Sequence, residues 1–185
     1  MLNEILKFNR EFVASGKYEA YRTSKFPDKK LAVLSCMDTR LTTLLPAALG
    51  LKNGDAKIIK NAGGLVISPF DSAMRSLLVG IYELGVTEIM VVAHSDCGAC
   101  HMSGKEMLAL MRERGISAET LATVGRCGVD VEAWLEGFHH TEPTVRKTVA
   151  TIREHPLVPA DVKVVGCIID SVTGELTVVD DGEAR

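Results

Sequence analysis

His94, Cys97, Cys100 and His101 crowd into the segment VVAHSDCGACHM (91–102), and their types and spacing match three chemistries. Cys97-Gly98-Ala99-Cys100-His101 spells the attachment signature of a c-type haem, and its inner Cys-x-x-Cys spacing is that of a dithiol redox pair. His94 and Cys97 can instead ligate a metal, because thiolate sulfur and imidazole nitrogen are both good ligands of Zn²⁺. Upstream, Cys36-Met37-Asp38-Thr39-Arg40 adds another thiol, with a carboxylate and a guanidinium at alternate positions after it.

What positions these groups is legible from the apolar pattern. LAVLSC (31–36) and TEIMVVAH (87–94) are apolar almost throughout and read as strands buried on both faces, with AKIIKN (56–61) as a shorter strand. SPFDSAMRSLLVGIYELG (68–85) predicts a helix, with Ser68 as N-cap, Pro69 at the first helical position, the early acid Asp71 and a closing Gly85. Further helices are expected near the N-terminus and over 104–115, about 129–138 and 142–155. VKVVGCIID and ELTVVDD read as strands of a hairpin turned by SVTG. Strands alternating with helices predict an α/β fold with a mainly parallel central β-sheet flanked by helices, its C-terminal strand antiparallel. Ligands in such folds sit outside the carboxyl ends of the strands, where Cys36 and His94 both fall.

If those two strands are neighbours, Cys36, His94 and Cys97 converge. Two sulfurs and one nitrogen are a zinc ligand set, and three protein ligands leave a fourth tetrahedral position for water. An extended chain would put residues 36, 38 and 40 on one side, so that Asp38 faces the metal and Arg40 faces Asp38. A guanidinium grips a carboxylate through two parallel hydrogen bonds. Asp38 then has two possible jobs: to close the fourth position itself or, held back by Arg40, to accept a hydrogen bond from bound water.

Together, CxDxR at one strand end and HxxC followed by Gly at another resemble the β-class carbonic anhydrases. KNAGG (60–64) and DSAMRSLLVGIYELGVTEIMVVAHSDCG (71–98) extend the resemblance over roughly residues 30–100. It implies that Cys36, His94 and Cys97 ligate zinc, that Asp38 and Arg40 form a catalytic dyad, and that the reaction is the reversible hydration of CO₂ to bicarbonate by a zinc-activated water. It also implies a homodimer or higher homo-oligomer in which the N-terminal helix lies across the partner. Gly98, whose backbone N–H follows the second thiolate, becomes a substrate contact. Lys60 stands where the family more often has Arg, and the chain contains no Gln, so the resemblance is to small variants without the plant-type Gln donor.

The bulk numbers agree with a single domain, an N-terminal helical arm over 1–28 followed by a zinc-binding α/β domain over 29–185. A chain of 185 residues buries roughly 70% of its unfolded surface and needs no disulfide staple. The net charge is −3, with Lys and Arg scattered among the acids, which excludes the basic stripe of a nucleic-acid binder. No apolar stretch approaches the ~18 residues of a membrane span and no leader-like segment opens the chain, so a cytoplasmic protein with reduced thiols is expected.

The rival readings explain less. Haem attachment accompanies export, and a redox pair at Cys97 and Cys100 leaves Cys36, Asp38, Arg40 and His94 without a task. A structural zinc module with Cys100 as fourth ligand gives Arg40 nothing to do. Hydrolysis of CS₂ or COS is the rival within the same chemistry, since the attacked carbon is again linear and cumulated. Elsewhere, Cys167 reads as a small core residue and Cys127 as incidental. His139, His140 and His155 read as surface imidazoles, and Asp71 with Arg75 as an intrahelical ion pair.

Overall fold

A computed structural model describes residues 1–183. Five strands, β1 (Leu31–Cys36), β2 (Ala56–Asn61), β3 (Glu88–His94), β4 (Lys163–Ile169) and β5 (Leu176–Asp180), form one sheet in the order β2-β1-β3-β4-β5. The first four are parallel and β5 returns antiparallel to β4, as the hairpin signal requires. β1 and β3 are buried along most of their length because helices cover both faces of the sheet. One face packs Leu34, Val91 and Ala93 against Met74, Leu77, Val145 and Val149; the other packs Val33, Val92 and Cys167 against Leu41, Leu45 and Phe138.

The chain leaves β1 for β2 on one side and returns for β3 on the other. This reversal opens a crevice beyond the carboxyl ends of β1 and β3. Ser35 pairs with Val92 and His94 with Ile169, so Cys36 and His94 emerge together at that edge.

Seven α-helices complete the described fold: α1 (Leu2–Ala14), α2 (Leu41–Ala48), α3 (Ser72–Leu84), α4 (Gly104–Glu113), α5 (Ala118–Arg126), α6 (Val131–Leu135) and α7 (Thr141–Arg153). α3 begins later than its Ser-Pro signal predicts. Its N-cap is Asp71, whose carboxylate accepts from the Met74 N–H at 2.8 Å and the Ile67 N–H at 2.7 Å. Asp71 is therefore committed to backbone donors, and the described residues show no Asp71–Arg75 ion pair.

The short α2 is not announced by the sequence: it carries Pro46 and no acidic residue in its first turn, and forms because Leu41 and Leu45 are buried under the sheet. α5, capped by Ser117, is also unannounced. α6 is shorter than the expected 129–138 because the next residues pair with another segment. Gly137 N–H donates to Met102 O and His101 N–H to Phe138 O, both at 2.8 Å.

α1 buries none of its residues within the chain, and Leu2, Ile5, Leu6 and Phe8 remain exposed. Among the described residues no helix is long and apolar enough to cross a membrane. The last two residues of the C-terminal tail, and so the end of the expected 29–185 unit, lie outside the described part.

Candidate metal centre

Cys36 closes β1, His94 closes β3, and Cys97 follows the turn after His94; all three are buried. Their donor atoms lie within 4.8 Å of one another, and the two sulfurs are 3.8 Å apart. His94 Nδ1 lies 2.8 Å from the Ser95 carbonyl oxygen, which makes Nδ1 the protonated nitrogen and leaves the Nε2 lone pair facing the sulfurs. That Nε2 is buried and has no hydrogen-bond partner. An unsatisfied buried polar atom costs about 1–3 kcal/mol. A tetrahedral cation shared with two thiolates satisfies it, so these residues fit zinc.

The three donors differ in how readily they give up a proton. Burial raises the Cys36 thiol, but the adjacent His94 ring, the Asp38 and Gly63 backbone and Cys97 outweigh it and bring Cys36 down to about 7. Burial, partly opposed by the Ala99 N–H and then reinforced by the charge on Cys36, pushes Cys97 up to about 11. The neighbouring Cys36 sulfur raises His94 against the effect of its burial.

Asp38 and Arg40 do pair, though not along an extended chain. β1 ends at Cys36, and residues 38–40 form an Asx turn in which the Arg40 N–H donates to Asp38 Oδ1 at 2.9 Å. Arg40 itself is helical, at the N-cap of α2. Folding back, its side chain meets Asp38 through Nε to Oδ1 at 3.0 Å and Nη2 to Oδ2 at 2.8 Å, a bidentate grip. The Arg40 side chain, and then its backbone N–H, holds the Asp38 carboxyl well below the usual carboxylate range. Asp38 is therefore ionised at any neutral or alkaline pH. Its Oδ2 lies 3.9 Å from His94 Nε2, beside the cluster.

The contacts of three supporting residues escape sequence reasoning. Asp96 bonds Arg40 from the β3 side. Ser95 donates its hydroxyl to Asp170 Oδ2 at 3.2 Å and accepts from the Ser171 N–H at 2.9 Å, tying the exit of β3 to the β4–β5 turn. Lys60 donates from Nζ to the Cys36 carbonyl at 3.1 Å and, more weakly, to the Leu41 carbonyl at 3.5 Å. It thus braces both ends of the turn that carries Asp38 and Arg40. One ammonium with several donors does this, so the planar geometry of Arg is not required. Only the KNAGG and HSDC spellings flag these positions, and neither spelling tells what the side chains touch.

Gly64 gives KNAGG a second task. Its φ is +69°, and a Cβ there would lie 2.7 Å from the Cys36 backbone nitrogen. Left-handed backbone costs a non-glycine residue roughly 1–2 kcal/mol before any clash. Gly64→Ala is expected to lower the melting temperature by about 4 °C or more in calorimetry and to displace Cys36.

The remaining candidates separate cleanly. Gly98 is exposed beside Cys97, and a Cβ on it would meet open space. Cys100 stands apart from the cluster, its Sγ 3.8 Å from the His139 carbonyl, so it is not a fourth member. Cys127 is exposed, Cys167 buried, and His139 and His140 exposed, as expected; His101 is exposed too. His155 is the exception: it is buried, its Nε2 lying 2.9 Å from Pro69 O and its Nδ1 accepting from the Leu157 N–H at 3.2 Å. Pinning two loops together, it is structural.

Known proteins resemble this chain over most of its length. The family model described as Carbonic anhydrase matches residues 31–176. YtiB of Bacillus subtilis (strain 168) is 50% identical over 182 residues, covering 98% of this chain and 97% of its own. A carbon disulfide hydrolase of Acidithiobacillus thiooxidans is 32% identical over 172 residues, 84% of this chain and 77% of its own. The crystal structure of the β-carbonic anhydrase isoform I of Trichomonas vaginalis superimposes with a TM-score of 0.87 at 31% identity, covering 99% of each chain.

Proposed function

Since the chain belongs to the β-carbonic anhydrase family, we propose that it catalyses the reversible hydration of CO₂ to bicarbonate, with Cys36, His94 and Cys97 holding a zinc ion. The observation that carries this reading is the buried, unpartnered Nε2 of His94 facing two sulfurs. Bound there, zinc supplies an acidified water and a charged position for attack on an electrophilic carbon.

The rest is the work of the chain. The Ser95 carbonyl holds His94 in the tautomer that presents Nε2. Asp38, ionised at neutral and alkaline pH, accepts a hydrogen bond from the incoming water and aims its lone pair, while the bidentate grip of Arg40 keeps the carboxylate off the metal. Open space beside Gly98 supports a substrate contact at its N–H. Two thiolates offset the charge of a dication, so activity is expected to rise with pH into the alkaline range.

The unburied apolar stripe of α1 supports a homodimer, each arm covering its partner.

Hydrolysis of CS₂ or COS is the second reading, favoured by the likeness to a carbon disulfide hydrolase. Stopped-flow CO₂ hydration on protein of measured zinc content, with CS₂ and COS assayed beside it, decides between them. Fast CO₂ hydration rising with pH is the expected result. CS₂ or COS turnover without CO₂ hydration would replace the first reading by the second.

A further inference from the structure

Resting on the reading of the site above, we infer that Asp96 is a positioning residue that latches Arg40, and through it keeps Asp38 away from the metal position. Arg40 reaches across from the end of β1 to the turn after β3, where Nη1 donates to Asp96 Oδ2 at 2.8 Å and Nη2 to the Asp96 carbonyl at 2.7 Å. The same guanidinium grips Asp38 with Nε and Nη2. Its plane is thus set by two carboxylates and a carbonyl on two loops, and Asp38 does not have to hold it alone. Asp96 sits between the ligand candidates His94 and Cys97, so the latch ties the dyad to the loop that carries two of the three donors.

The backbone at Asp96 makes the case for a side-chain role. Its φ is +53°, a left-handed conformation that glycine adopts freely and aspartate only tolerates. A turn needing nothing but that conformation would be better served by glycine. With Asp there, carboxylate and carbonyl both turn toward Arg40. The Asp96 side chain is 88% exposed, so its attraction for Arg40 is screened and the latch works mainly through direction.

Asp96→Gly separates these possibilities, because it keeps or relaxes the backbone and deletes the carboxylate. In zinc-loaded protein the variant is expected to melt no lower than wild type and to lose about three- to tenfold in turnover per bound zinc, the low end for an outer partner because the group is solvated. Released from a fully held Arg40, Asp38 becomes available as a fourth ligand. Transfer of zinc to a chromophoric chelator should therefore slow by a similar factor. Asp96→Asn, which keeps an oxygen acceptor and tolerates the same φ, should fall between the two. Slower turnover together with slower zinc release is the supporting result; any other combination overturns the inference. Faster release with a lower melting temperature would mark Asp96 as merely structural. A wild-type protein that neither holds zinc nor turns over any of the three substrates overturns the reading of the site, and this inference with it.

Discussion

Cys36→Ser is expected to yield a folded protein that retains no zinc and shows no CO₂ hydration above background. Serine removes one of two sulfur donors and, with a hydroxyl that stays protonated at neutral pH, supplies no anionic ligand in its place. His94 and Cys97 remain, but two ligands do not hold a tetrahedral ion against the solvent. The loss of affinity should exceed the roughly 10–100-fold that follows loss of an outer hydrogen-bond partner. Metal analysis after desalting, beside a thermal melt showing the fold intact, checks it; stoichiometric zinc in the variant would remove Cys36 from the site.

In the wild type Cys97, pushed up to about 11, must give up its proton to the metal throughout the neutral range, and Cys36 adds a second step to the pH dependence of metal uptake. The folded state lowers Cys36 to about 7. Its thiolate is therefore available above that pH, and protons compete with the metal as pH falls through it. Zinc affinity should weaken with acidification across that range.

Arg40→Ala is expected to keep zinc and lose about 10–100-fold in turnover. Nothing in the three donors depends on the guanidinium directly, whereas Asp38 depends on it for direction, through both bonds of the bidentate grip. Wild-type turnover in a zinc-replete variant would remove the basis for the dyad.

The pairing also predicts a stability signature. The Asp38 carboxyl is lowered in the folded state, chiefly by the Arg40 side chain. Its contribution to stability is accordingly present above the usual carboxylate value near 4 and lost as pH falls below it. The difference in melting temperature between wild type and Arg40→Ala should shrink as the buffer is taken below that value.

The strands that carry the site were legible because burial writes itself into composition: LAVLSC and EIMVVAH are apolar enough that only a two-sided environment suits them. The same logic fails where a segment is held by contacts rather than by its own pattern. α2 forms around Pro46 because Leu41 and Leu45 have a sheet to cover. His155 is buried because the Pro69 carbonyl meets it from another loop while the Leu157 N–H of its own loop holds the ring.

For the site, the sequence by itself determined the donor chemistry: two thiols and an imidazole at strand ends, with a carboxylate and a guanidinium close behind. Tertiary structure decided how these groups meet. An Asx turn, rather than an extended chain, folds Arg40 back onto Asp38. Asp96, Lys60 and Ser95 became supports only when strand order brought their loops together. The reason is physical. Ligand identity and burial are local properties of residue type, whereas bonds made by side chains across 24 to 75 positions depend on strand order and a few turn torsions. No periodicity in the chain encodes those.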